Sequence, residues 1–117
     1  MATPGELRTR TLRELRAARK DMTSAIFLIS LESQPEQRRK EAALKLLDTE
    51  RAILALGNEE LAEIRDVLLE NETELLEGIA ELGKARKRLS QVAKVLDAVG
   101  GVLTTVAKVA KFAATGI

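Results

Sequence analysis

From Leu61 to Ala113, apolar or small residues recur at alternating steps of three and four: Leu61, Ile64, Leu68, Asn71, Leu75, Gly78, Leu82, Ala85, Leu89, Val92, Leu96, Val99, Leu103, Val106, Ala110 and Ala113. Asn71 is the one polar member. Such a repeat draws a narrow stripe down a helix, and the stripe is hidden only against another helix or a membrane surface. The pattern predicts one long helix over about 59–115, ~85 Å from end to end at the usual rise per residue.

Upstream, Thr11, Leu15, Ala18, Met22, Ala25 and Ile29 keep the same spacing and predict a helix over about 6–31 with one buried face. Ser33, Pro35 and Glu36 read as an N-cap, a first-turn proline and an acidic first turn. A second helix is therefore expected over about 36–56, with a stripe of Ala42, Leu46, Thr49, Ile53 and Leu56, widened by Ala43, Leu47 and Leu54. Gly57-Asn58-Glu59-Glu60 then combines a helix-ending glycine, a capping Asn and two carboxylates at the positive end of the next helix.

The expected fold class is all-α: a single helical domain, residues 1–117, in which two medium helices and one long C-terminal helix pack as an antiparallel bundle with coiled-coil character. Gly78, Gly83, Gly100 and Gly101 each weaken a helix by roughly 0.8 to 1 kcal/mol relative to Ala. A break near Gly83 would give a four-helix bundle, and a second candidate break lies near Gly100. The stripe passes Gly83 without the phase slip seen at Gly57, which favours the continuous helix.

Composition narrows the chemistry. The chain has no Cys and no His, which excludes disulfides and thiolates and removes the commonest metal ligand and general base. The carboxylates between Glu59 and Glu81 lack the Glu-x-x-His motif of bundle di-metal sites. There is no P-loop, Gly-x-Gly-x-x-Gly run or nucleophile elbow. The reading is non-enzymatic, with no cofactor, no metal and no small-molecule substrate. The charged segment Met1 to Lys20 has no apolar run of the signal-peptide kind, so a cytoplasmic protein is expected.

Net charge is +1, but it is unevenly spread: +4 over residues 1–40, −9 over 41–82 and +6 over 83–117. An acidic middle between basic ends neutralises itself by folding back or pairs with the ends of a second copy. Arg8, Arg10, Arg13, Arg16, Arg19 and Lys20, and then Lys84, Arg86, Lys87 and Arg88, form basic clusters of the kind phosphate binding needs. No aromatic residue lies among them to stack bases, and acids are interleaved in the first, which argues against a nucleic-acid partner.

These observations predict a protein–protein interaction or self-assembly module whose partner is a protein, most simply a second copy. Its expected interface is the stripe itself: Leu61, Ile64, Leu68, Asn71, Leu75, Leu82, Leu89, Val92, Leu96, Val99, Leu103 and Val106. For Asn71 two readings stand, a buried register device or an exposed cap.

An alternative follows from the change of character after Arg88. Flanking positions become small or apolar there, and the last eighteen residues, GGVLTTVAKVAKFAATGI, resemble amphibian-skin antimicrobial peptides in composition. A basic amphipathic segment 89–117 would then bind or enter an anionic membrane. Its lipid face would comprise Val95, Val102, Val109, Lys108, Lys111 and Phe112, released by a hinge at Gly100 and Gly101. It is too short to span, since the longest uncharged run, Ala98 to Ala107, is ten residues against the ~20 a span needs.

Overall fold

The computed structural model describes residues 2–112. Among these there are six helices and no strand: α1 (Pro4–Met22), α2 (Ala25–Glu32), α3 (Glu36–Asn58), α4 (Leu61–Glu70), α5 (Glu72–Arg86) and α6 (Val92–Val109). The expected all-helical bundle is present. The division into two medium helices and one long one is replaced by a finer one, for reasons that can be read residue by residue. Ala113 and the expected helix end at 115 lie outside the described residues.

Helix α1 begins at a threonine N-cap. Thr3 Oγ1 accepts from the Glu6 backbone N–H at 3.2 Å and donates to Glu6 Oε1 at 3.0 Å, with Pro4 in the first turn. Its buried row is the predicted one: Thr11, Leu15, Ala18 and Met22, extended to Leu7. The row does not continue to Ala25 and Ile29. Thr23 Oγ1 donates to the Lys20 carbonyl at 2.9 Å and Ser24 Oγ to the Asp21 carbonyl at 2.6 Å. Side chains that bond the preceding turn compete with the helical ladder. Ser24 then N-caps α2, so the chain turns and the phase resets. Phe27 enters the core, while Ile29 is left 67% exposed.

Helix α3 starts at Glu36, as expected, but with a different cap. Pro35 is itself the N-cap residue, and Ser33 closes α2 by donating to the Ser30 carbonyl. Ala42, Thr49, Ile53 and Leu56 are buried and Leu46 half-buried, as the stripe required. Leu47 and Leu54, expected to widen it, face solvent. Beyond Asn58 the chain turns at Glu59, whose carbonyl accepts from Arg8 Nη1 at 2.7 Å.

The continuous helix over 59–115 is not found. It bends at Asn71 and reverses at 87–91, and neither Gly83 nor Gly100 is a break. A rod of ~85 Å would be nearly twice the 44 Å long dimension of the molecule. Asn71 closes α4: its side-chain Nδ2 donates to the Val67 carbonyl at 2.8 Å and its backbone N–H to the Val67 and Leu68 carbonyls. Of the two readings of Asn71, the cap describes this geometry. The stop after Arg86 coincides with Lys84, Arg86, Lys87 and Arg88, cations that suit the negative end of a helix. The stripe stays in register across the reversal because α5 and α6 run antiparallel and send the same row into one core.

Helix α6 is that core's main contributor. Val92, Val95, Leu96, Val99, Val102, Leu103, Val106 and Val109 are all buried. Helix α1 packs on α3, α4 and α5, while α6 packs on α3, α5 and α4, so α1 and α6 occupy opposite corners of a four-cornered bundle. The short α2 closes one end against α1, α3 and α6. At Gly78 the α5–α6 approach is close: a Cβ there would lie 3.2 Å from Val102 Cγ2. At Gly101 a Cβ would meet nothing within 4 Å.

Gly101→Ala is expected to raise the unfolding free energy by roughly 0.8 to 1 kcal/mol, the helix-propensity difference, and Leu103→Ala to lower it by about 2–5 kcal/mol through a core cavity; urea titration followed by circular dichroism measures both. Asn71→Leu is expected to lower stability by about 0.5–1.5 kcal/mol through loss of the cap bond; a rise in stability with a changed molar mass would restore the register reading.

Candidate functional site

The sequence-predicted interface lies inside the molecule. Ile64, Leu68, Leu75, Leu82, Val92, Leu96, Val99, Leu103 and Val106 are at most 5% exposed, covered by the chain's own helices. Leu61 and Leu89 are partly buried against the same core, and Asn71 caps α4. A second copy is not needed to hide this row. The segment after Arg88 is likewise inward-facing. Val95, Val102 and Val109 are buried, Phe112 is partly buried against the core, and Lys108 Nζ reaches Glu74 Oε2 at 3.0 Å. Lys111 is exposed. Gly100 and Gly101 sit in unbroken helix. The described residues include no helix long and apolar enough to cross a membrane and no His/Cys/Asp/Glu group that could hold a metal ion.

The second basic cluster has an internal use. Arg86, near the end of α5, donates from Nε to Asp21 Oδ2 at 2.6 Å and from Nη1 to Glu14 Oε1 at 2.8 Å. Both acids stand on α1, seven residues apart, so they share one face of that helix. Burial by itself would lower the Arg86 pKa, but the hydrogen bonds to Glu14 and Asp21 and the charges of both acids outweigh it and raise the pKa above its ordinary value. The guanidinium fork joins two carboxylates as a single ammonium would not. It fixes the end of α5 against α1.

Two surface features of opposite shape stand out among the described residues. The first is a ridge on α3. Leu44, Leu47 and Leu54 are 43%, 40% and 64% exposed, and with Lys40 they follow the steps of four, three and seven that place residues on one helix face. That face lies opposite the buried row Ala42, Thr49, Ile53 and Leu56. Helix α3 is thus apolar on two sides and has a neighbour on only one. On the adjoining α2, Ile26, Leu28 and Ile29 are also exposed, at 62%, 45% and 67%.

The second feature is a groove of about 790 Å³ between α5 and α6. Its floor consists of small residues, Gly78, Ala85, Ala98 and Gly101. Its walls carry charges of both signs: Glu74, Glu77, Glu81 and Asp97 with Lys84, Arg88 and Lys94, of which Glu74 pairs with Lys108 and Glu81 with Lys84.

Comparison of the chain with protein families, curated proteins and solved structures finds no match.

Sequence reasoning missed both surfaces. The signal for the ridge was present: Leu47 and Leu54 lie far around the helix from Ala42 and Thr49, too far for one neighbour to cover all four. The groove needs the α5–α6 reversal, which periodicity alone does not show.

Arg86→Met is expected to lower the unfolding free energy by about 1.5–3 kcal/mol, since it leaves two carboxylates on α1 without their cation. Lys84→Met, at an exposed surface pair with Glu81, is expected to change it by less than about 0.5 kcal/mol. Urea denaturation of the two variants compares them directly.

Proposed function

We infer that the chain is a non-enzymatic protein–protein interaction module that self-assembles, and that its contact surface is the outer face of α3. The observation that carries this reading is the outward row of Leu44, Leu47 and Leu54. A row of large aliphatic side chains at helical spacing gains nothing from facing water. It contributes by packing on another surface, where burying each leucine stabilises by roughly 1.5–3 kcal/mol. Single exposed leucines are ordinary on protein surfaces, whereas a contiguous apolar patch marks an interaction site. Ile26 and Ile29 on α2 add apolar surface beside the N-terminal end of the same helix. The contact so assigned differs from the stripe on α5 and α6, which the core already uses.

Light scattering tests this. The wild-type chain is expected to exceed its monomer mass of 12.8 kDa and to grow with concentration. A Leu47→Asp/Leu54→Asp variant is expected to remain at 12.8 kDa with unchanged helicity, because neither side chain supports the core. A wild-type chain that stays at the monomer mass up to millimolar concentration overturns the reading.

A further inference from the structure

We propose that the end of the bundle closed by α2 docks on an anionic lipid surface, its exposed aliphatic side chains entering the interface and the cations around them meeting the headgroups. This contact is distinct from the α3 row and goes beyond the self-assembly reading.

Helices α1, α2, α3, α5 and α6 all contribute to this end. Asp21 on α1 bonds Arg86 near the end of α5 at 2.6 Å, α2 packs on α1, α3 and α6, and a Cβ at Gly100 on α6 would lie 3.4 Å from Lys45 Nζ on α3. With α5 and α6 antiparallel, the last turn of α1, the first turns of α3 and α6 and the reversal at 87–91 therefore surround α2. That helix turns Phe27 inward and leaves Ile26, Leu28 and Ile29 exposed. Its single charged residue is Glu32, at its C-terminal end.

The residues at this end, 19–41 and 84–94, carry ten Lys or Arg against four acids, a side-chain charge of +6, while the rest of the chain carries −5. The acids are Asp21, Glu32, Glu36 and Glu41. Asp21 is held by Arg86, Glu41 by Arg38 at 2.9 Å, and Glu36 lies 3.5 Å from Lys40. One turn further into the bundle stand Arg16 and Lys45 against Glu14, Glu81 and Asp97, with Glu14 bonded to Arg86 and Glu81 3.6 Å from Lys84. Including them lowers the charge only to +5. Arg19, Lys20, Arg39, Lys87, Arg88 and Lys94 belong to none of these pairs, and all but the half-buried Arg19 are exposed.

An anionic membrane answers to both features. Its surface attracts Lys and Arg over a Debye length, ~8 Å at physiological ionic strength, and apolar side chains gain by entering just beneath the headgroups. Other occupants answer to one feature only. A nucleic acid gives exposed aliphatic side chains nothing to pack on, and the aromatic ring of α2, Phe27, is buried and cannot stack bases. Two copies meeting through this end would set +6 against +6. The acidic remainder of a second copy would match in charge, but outside α2 and α3 the one large apolar side chain exposed among its described residues is Leu69.

The same asymmetry orients the molecule, with its acidic remainder pointing into water. An eight-residue helix lies on the interface and does not cross it. The valines and leucines of α6 stay in the core, so docking does not require the bundle to open.

Flotation of the intact chain with vesicles measures this contact. The wild type is expected to bind vesicles of equimolar phosphatidylserine and phosphatidylcholine, to ignore phosphatidylcholine alone, and to be released as salt screens its cations. With helicity checked by circular dichroism, Ile26→Ser/Ile29→Ser is expected to bind about tenfold more weakly through lost apolar burial. Lys87→Gln/Arg88→Gln is expected to bind about five- to twentyfold more weakly, and Glu32→Gln about two- to fivefold more tightly. A wild type that leaves the phosphatidylserine vesicles unbound, or an Ile26→Ser/Ile29→Ser variant that binds them like wild type, overturns the proposal. A chain that binds a duplex oligonucleotide but no vesicle overturns it in favour of a nucleic-acid surface.

The chain has no Trp, so Ile29→Trp and Leu69→Trp each introduce one reporter. On anionic vesicles the first is expected to shift to the blue and to be quenched by brominated lipid, and the second to stay unchanged; the opposite pattern overturns the assigned docking end. The Leu47→Asp/Leu54→Asp variant is expected to keep its vesicle binding. Loss of binding there moves the lipid contact to α3 and overturns the proposal, whereas the molar mass of the wild type tests self-assembly independently of lipid.

Discussion

Helix α6 presents apolar side chains around roughly half of its circumference, from Thr105 and Val109 round to Leu96, an arc wider than one neighbouring helix can cover. The positions of the other helices follow from that constraint. Helices α3 and α5 flank α6 along its length, α4 adds cover beside α5, and α2 closes an end. Helix α1 then fills the fourth corner, sealing the gap between α3 and the α4–α5 pair. The bend at Asn71 and the reversal at 87–91 are what allow a chain with one long apolar stripe to wrap its second half against its first.

Polar interactions decide how tightly these pieces are held in place more than whether they associate. No buried side-chain nitrogen or oxygen among the described residues lacks a hydrogen-bond partner. Arg86 links the end of α5 to two carboxylates of α1, and Arg8 closes the carbonyl at Glu59 between α3 and α4. Both arginines come from clusters that, in sequence, look like polyanion-binding patches. Their partners lie 51 to 72 residues away, so the charge pattern reports intramolecular pairing at these positions.

The functional reading turns on a contrast within α3. One side of this helix gives Ala42, Thr49, Ile53 and Leu56 to the core, and the other carries Leu44, Leu47 and Leu54 into solvent. Across the bundle, α5 and α6 meet over small residues and leave a depression lined by charges of both signs. The C-terminal stripe, by contrast, is buried by the chain's own helices.

Much of the architecture was legible in the chain. Helical periodicity and the turn at Gly57 to Glu60 pointed to an all-α bundle, and the rows Thr11 to Met22 and Ala42 to Leu56 named core residues correctly. These are local properties, set by 3.6-residue spacing and by capping chemistry. The sequence did not reveal which partner covers each row. A stripe that continues in phase from Leu82 through Leu89 to Leu96 is equally compatible with a straight helix and with an antiparallel reversal, because both present the same residues to one side. Only the packed structure distinguishes them, through the limited length of core that the other helices can cover. The ridge on α3 and the groove between α5 and α6 belong to that tertiary level too, since exposure and concavity are properties of neighbours and not of spacing.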